Sequence, residues 1–331
     1  MVKTDYNALY LRSENARMRL KAVSKALRKS SQRLKYGFDA LEKEKIIKNP
    51  YCVIDYSYFG LILFRTYLRG VYVAEYDKKR ILNELAKNQH VTSIYELEGE
   101  YDLAVEFLSQ NPSRFNKELK KISTLMPNLN DYKVVLNIVT HLYPRGYLAS
   151  EKIQNVHGAK ILGGDKIIGG DREVVPLTEN EIKVINALLI YPSSPLNFLA
   201  KNTELNAKTV KTILNNLAKR NITKGFKYCL DIEKLGINSS RLFLKLHHLT
   251  IERETSLMSY LRDAKEVVQA SKTVGDWDME IDIESLDARK IRQAILQIRV
   301  EFKDIIERFN LIEFRDVYKK SYLPMHLFEQ K

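Results

Sequence analysis

The chain has 331 residues, 45% hydrophobic and 10% aromatic, which excludes a disordered polymer and leaves room for two to four domains. No apolar run approaches the roughly 18–20 residues of a membrane span, the charged opening MVKTDYNALYLRSENARMRL is not expected to be a secretion signal, and Cys52 and Cys229 lack CxxC partners, so a cytoplasmic protein without disulfides or zinc is expected. The net charge of +13 is concentrated: residues 1–50 hold thirteen Lys/Arg against five acids, and residues 177–226 hold seven against three, as in a polyanion footprint.

In chain order, residues 4–14 show a helical period around Leu9 and Leu11, and a second helix gathers Leu20, Val23, Ala26 and Leu27 on one face. A third starts at a good N-cap, Ser30 or Ser31, and sets Leu34, Phe38 and Leu41 at i, i+4, i+7. Its other face offers Ser31, Gln32, Arg33, Lys35, Tyr36 and Asp39. Three short helices, the last with a polar and basic N-terminal half, predict a helix-turn-helix over 1–48, with the third helix suited to the major groove of double-stranded DNA. Gly37, inside that helix, costs it up to about 1 kcal/mol.

Residues 49–143 then predict a strand–helix–strand–strand–helix–strand domain, with helices at 77–88 and 113–125 and a hairpin turn at Gly99-Glu100-Tyr101-Asp102. This βαββαβ order is ferredoxin-like. Residues 144–176 form a connector with two Gly-Gly pairs, Gly163-Gly164 and Gly169-Gly170. It lacks the Gly-Lys-Ser/Thr of a phosphate loop and is expected to be flexible or hairpin-like.

A shift of 176 residues then brings the rest of the chain into register with the first part. Leu20 falls on Leu196, Lys35 on Lys211, Leu41 on Leu217, Gly60 on Gly236, Gly99 on Gly275 and Asp102 on Asp278. A second helix-turn-helix is expected over 177–225, with helices at 179–190 and around Leu196, Leu199 and Ala200. Its third helix is capped by Asn206, with Val210, Leu214 and Leu217 inward and Lys208, Thr209, Lys211, Thr212 and Asn215 outward. A second α/β domain is expected over 226–325, with helices at 255–264 and 286–308. Met279, Ile281 and Ile283 alternate there with Glu280, Asp282 and Glu284, predicting a sheet with one buried face. After its second helix the shift is expected to grow by six, pairing Tyr132-Lys133 with Phe314-Arg315 and Val135 with Val317. The fold class is therefore α+β, two copies of a helix-turn-helix followed by a ferredoxin-like domain.

SSQRLKYGFDALEKEKIIKNPYCVID followed by a βαββαβ domain with a Gly-x-aromatic-Asp turn, and LNAKTVKTILNNLAKRNITKGFKYCLDIEKLG followed by TVGDWD, resemble the leucine-responsive/AsnC (feast/famine) transcriptional regulators, in the archaeal type that fuses two units. The resemblance covers nearly all of the chain outside the connector. It implies a DNA-binding, non-enzymatic regulator without a cofactor, whose α/β domains pair in cis or between chains. It also implies a small effector such as an amino acid, with Gly99, Tyr101, Asp102, Gly275, Trp277 and Asp278 bordering its site. The departures are Lys45, where the family usually has Gly, and Asp39 and Asn215-Asn216, which lack the basic residues that favour DNA.

Two alternatives stand beside this reading. Sirohaem decarboxylases have a similar architecture and bind a tetrapyrrole, which needs His and Arg converging on a pocket; here His90, His141, His157, His247, His248 and His326 are scattered along the chain. A regulator acting by protein contact alone is the other.

Overall fold

A computed structural model describes residues 4–154, 166–325 and 327–328. In the first helical module, α1 (Tyr6–Glu14) starts where Asp5 accepts from the Ala8 N–H, and α2 (Leu20–Leu27) ends on Arg28 in the left-handed region. Then α3 (Ser31–Lys43) begins where the Ser30 hydroxyl accepts from the Arg33 N–H, and its buried stripe is Leu34, Phe38 and Leu41. After this module come β1 (Ile47–Ile54), β2 (Ile62–Arg69), α4 (Glu75–Lys87), β3 (Val91–Glu98), β4 (Leu103–Ser109), α5 (Pro112–Ser123) and β5 (Asp131–Leu142). A short strand, β6 (Lys166–Gly169), leads to the second series: α6 (Glu179–Ile190), α7 (Leu196–Thr203), α8 (Ala207–Lys219), β7 (Thr223–Leu230), β8 (Asn238–Leu246), α9 (Ile251–Asp263), β9 (Val267–Val274), β10 (Met279–Ser285), α10 (Ala288–Glu301) and β11 (Ile306–Lys320). Apart from β6 and short helical turns, the same order of element types occurs twice. Left-handed backbone recurs at matched positions too: Arg28 and Glu204, Lys45 and Asn221, Asn49 and Gly225, Gly60 and Gly236, Gly99 and Gly275, each pair 176 residues apart.

The strands form two sheets. β1 and β7 pair antiparallel with each other, from Ile47 opposite Leu230 to Ile54 opposite Thr223. The expected boundaries at 48/49 and 225/226 thus fall inside strands that belong to a joint between the modules. The other nine run β2-β4-β3-β11-β8-β10-β9-β5-β6, and β5 also pairs with β2. This closes eight of them into a barrel. Each α/β unit supplies four strands in ferredoxin-like order, and the fourth strand of each pairs with the second strand of the other, β5 with β9 and β11 with β3. The helices cover the outside: Ile81, Leu85, Phe115 and Leu119 pack on one unit, and Leu257, Leu261, Ile291 and Ile298 on the other.

Closure changes three sequence-based expectations. First, the charged side of the β10 alternation is not solvent-facing. Glu280 is fully buried, and Glu106 on β4 is buried as well, because the second face of each half-sheet becomes the barrel interior. Second, the six-residue growth of the shift is wrong. Arg65 sits opposite Val135 while Arg241 sits opposite Ile312, so the shift grows by one residue. The two extra residues of α10 relative to α5 are mostly absorbed before the strand begins. Third, part of the connector is woven into the sheet: β6 pairs with β5 from Val139 opposite Gly169 to Leu142 opposite Lys166. A Cβ on Gly169 would lie 2.7 Å from the Ile138 carbonyl oxygen, which is why glycine is required there. The Gly163-Gly164 pair lies outside the described residues.

The barrel interior holds a linked set of charges. Arg65 donates to Glu106 at 2.7 and 3.0 Å and also pairs with Glu280 of the other unit. Arg241 donates to Asp282 at 2.6 and 2.8 Å and to the Tyr67 hydroxyl at 2.8 Å, and that hydroxyl donates to Glu280 at 2.8 Å. Burial opposes ionisation of Glu106, yet the ammonium of Lys320 and the guanidinium of Arg65 outweigh it and hold the carboxyl well below the usual range. A carboxyl whose pKa is depressed by folding contributes stability that is complete above its unfolded value, about 4.3, and is lost as the pH falls towards the folded value. Unfolding temperature is therefore expected to fall below about pH 4.3. Glu106→Gln is expected to cost about 3 kcal/mol at pH 7, because it leaves Arg65 and Lys320 under-compensated, and to flatten the acid limb; urea titrations between pH 3 and 7 measure both.

Candidate nucleic-acid interface

Each third helix is held by its own cap and by a core on one side only. On α3, Gln32, Arg33, Lys35, Tyr36 and Asp39 are exposed, Tyr36 by 66%, and Ser31 is half-buried. On α8, whose Asn206 cap accepts from the Thr209 N–H at 2.7 Å, Lys208, Lys211, Thr212 and Asn215 are exposed and Thr209 is half-buried. The inward stripe of α8 differs from expectation: Val210, Ile213 and Leu217 are buried, with Leu214 only half-buried. Helical spacing permits either i+3 or i+4 in the middle of a stripe, and the tilt of the helix on α6 and α7 decides.

The side chains of Arg33, Lys35, Lys208 and Lys211 enter no hydrogen bond or ion pair among the described residues, whereas cations elsewhere, such as Arg145 and Arg241, are spent on carboxylates. Two patches of uncommitted positive charge thus sit at the N-terminal halves of α3 and α8, where the helix dipole adds to them. Exposed Asp39 lies further along α3.

The two modules are fastened to each other. The end of β1 (Val53, Ile54) packs with Val184, Leu188 and Leu199 of the second module, while the end of β7 (Tyr228, Leu230) packs with Leu9, Leu11 and Phe38 of the first. Arg17, beyond α1, donates to the carbonyls of Pro192 at 3.1 Å and Ser194 at 2.7 Å, between α6 and α7. The spacing of the two patches is therefore set by packed structure.

The turn residues assigned to an effector are used by the fold. Asp102 accepts from the Val71 N–H at 2.9 Å, and Asp278 accepts from the Leu246 N–H at 2.8 Å and pairs with Lys245 at 2.9 Å. Tyr101 is buried against Tyr67, and Trp277 leans on Phe243 under Arg308. Gly99 and Gly275 take left-handed backbone, and Gly275 closely approaches the Val134 carbonyl of the other unit. The two turns lie on different units.

Sequence reading missed a second charged site, where α1, β7 and the segment after β5 meet the end of the barrel. Arg145 there bonds to Glu14 and Glu284, both at 3.0 Å, and Lys227 to Glu14 at 2.7 Å. The only signal was acidic and basic residues within otherwise apolar segments. Burial pushes both thiols up, that of Cys229 to about 11 and that of Cys52 further, so neither is a reactive nucleophile. His90 lies in a turn before β3, His141 on β5, and His247 and His248 just beyond β8, while His157 and His326 lie outside the described residues. No described helix is long and apolar enough to cross a membrane.

No family model matches the chain. It is 28% identical over 121 residues to the HTH-type transcriptional regulator FL11 of Pyrococcus horikoshii, covering 37% of this chain and 79% of that protein. Among solved structures, the siroheme decarboxylase NirDL in complex with an iron-uroporphyrin III analogue superposes with a TM-score of 0.57 at 12% identity, covering 98% of this chain and 95% of the other. An AsnC family regulator from Agrobacterium tumefaciens aligns with 46% of this chain and 99% of its own at 14% identity, TM-score 0.40. The likeness to NirDL is one of fold: an α+β chain with helical modules and ferredoxin-like units.

A difference between the two modules yields a test. Gly37 of α3 occupies the place that buried Ile213 takes in α8, and a Cβ at Gly37 would meet nothing within 4 Å. Beside it runs a groove of about 350 Å³ between Ala8, Leu34 and Phe38. Gly37→Ala is expected to raise stability by about 1 kcal/mol, by removing helix-interior glycine without a clash. Denaturant unfolding measures it; a loss of stability would mean that the site is already filled.

Proposed function

We propose that this chain is a sequence-specific DNA-binding transcription regulator, built by tandem duplication of one helix-turn-helix plus α/β unit, which acts without catalysing a reaction. The observation that carries this reading is the uncommitted basic face on the N-terminal half of both α3 and α8, mounted on modules whose relative position is locked by β1–β7. Similarity to a named transcriptional regulator over the span of one such unit supports it. In this reading Gln32, Tyr36, Thr209 and Thr212 reach base edges, while Ser31, Arg33, Lys35, Lys208 and Lys211 hold phosphates. The α/β units pair in cis through the barrel, and the turns at 99–102 and 275–278 are proposed to border an effector site where two chains meet.

A duplex selected from random sequence is expected to bind with an affinity that falls with salt at a log–log slope near −0.9 per phosphate neutralised. Replacing Arg33 and Lys35, or Lys208 and Lys211, by Ala is expected to reduce the slope by about two for each pair that meets DNA. Fluorescence anisotropy across 50–300 mM salt reads the slope. Binding that is absent at low salt, or independent of salt, would sink the reading. A chain that acts through protein contact alone would give that result.

The fold likeness to NirDL across almost the whole chain keeps a tetrapyrrole-binding enzyme as the second reading. Against it stands the spread of the described histidines over a turn, one strand of the first unit and the end of a strand of the second. A saturable Soret band on titration with an iron tetrapyrrole, together with no affinity for DNA, would favour it.

A further inference from the structure

The groove beside Gly37 lies between α1 and α3 and has a volume of about 350 Å³. Its apolar walls are Ala8, Leu34, Phe38 and Leu41. A Cβ built on Gly37 meets no atom within 4 Å, so the opening reaches down to the helix backbone. In the second module the places of Gly37 and Ala8 are taken by Ile213 and Val184, both buried. A glycine inside a helix and an unfilled apolar slot each cost stability. The first module carries both costs at one spot, and a ligand in the slot would offset the second.

The rim indicates what kind of ligand. Arg33 and Lys29 line the groove, where the second module has Thr209 and Leu205. Lys29 is neutralised by its ion pair with Asp5, which also lines the groove. The guanidinium of Arg33 enters no hydrogen bond or ion pair among the described residues. One uncommitted cation therefore stands at the mouth of an apolar slot. Relative to the second module, Gly for Ile and Ala for Val add room, while Arg for Thr and Lys for Leu add positive charge. A small polar ion would leave the apolar walls uncovered, and a neutral hydrocarbon would leave Arg33 unmatched. At about 30 Å³ per group, a water's share of the liquid, the groove takes about twelve non-hydrogen atoms. That places it at the small end of ligand pockets, which run from about 300 to 1,000 Å³.

We propose that this groove binds a monocarboxylic acid with an unbranched apolar chain of about eight to ten carbons. The chain lies against Leu34, Phe38 and Leu41, and the carboxylate is held by the guanidinium of Arg33. Arg33 belongs to the face of α3 that would hold phosphates, so acid in the groove draws it away from DNA. That consequence rests on the regulator reading; the binding site does not.

Isothermal titration of the full chain with octanoate, decanoate, 1-decanol and acetate tests the site. At least one of the two longer acids is expected to saturate. Decanol should bind about tenfold more weakly than decanoate, for want of the charge-assisted bond, and acetate more weakly still. Gly37→Ile fills the slot as Ile213 does in α8 and is expected to abolish acid binding. Its unfolding temperature should be at or above that of the parent, because a helix-interior glycine is removed. Arg33→Ala should bring decanoate down to the affinity of decanol. In the parent, decanoate should shift the methyl NMR signals of Ala8 and Leu34 and leave those of Val184 and Leu217 in place. Absence of saturable binding, equal affinity for decanol and decanoate, full affinity in a folded Gly37→Ile chain, or shifts confined to other methyls would overturn the proposal. DNA titrations with and without decanoate separate the two readings. Saturating acid is expected to reduce the salt slope by about 0.9, the share of one phosphate. An unchanged slope removes the coupling, and a chain that binds acid but not DNA removes the regulator reading and leaves the site.

Discussion

The exchange of edge strands between the two α/β units is the constraint on which the molecule depends. A ferredoxin-like sheet buries one face under its own helices and leaves the other face and both edges open. Here β5 runs on to pair with β9 and β11 with β3, so all four edges and both open faces disappear at once. The interior so created holds charge: Arg65 from one unit meets Glu280 from the other with essentially no exposure of either. Such pairs contribute little net stability but strongly penalise any arrangement that separates them. They give each unit a reason to accept only the other, in one register.

The same exchange is made again by the helical modules. β1 leaves its own module and ends in the core of the second, β7 does the reverse, and the two strands pair on the way. The two basic helix faces are consequently positioned by a two-stranded joint, reciprocal cores and the Arg17 bonds to the opposite turn. A protein that reads two sites on one duplex needs this kind of fixed separation. The Arg145 cluster lies where that joint rests on the barrel, so a change there has a path to α1 through direct bonds.

The two modules are alike in plan and unlike in detail. Ile213 fills a space that Gly37 leaves as a groove, and the left-handed residue before the strand is Lys45 in one module and Asn221 in the other. Asparagine tolerates that backbone better than lysine, so the first module carries strain that the second does not. The fold itself is shared with a protein named as a decarboxylase, and a fold leaves the chemistry to side chains.

The 176-residue recurrence, the three-helix pattern with its Ser30 and Asn206 caps, and the βαββαβ order were legible in the amino-acid sequence, because each rests on spacings of a few residues within one element. The outward positions of α3 and α8 followed from the same local rule, although Ile213 rather than Leu214 faces inward. What pairs with what was not legible. Glu280 looked like a solvent-facing residue of an alternating strand, since nothing within the strand tells that another sheet will cover it. The swapped strands and the Arg145 cluster join residues more than a hundred positions apart, and only the packing of one unit against the other decides such contacts.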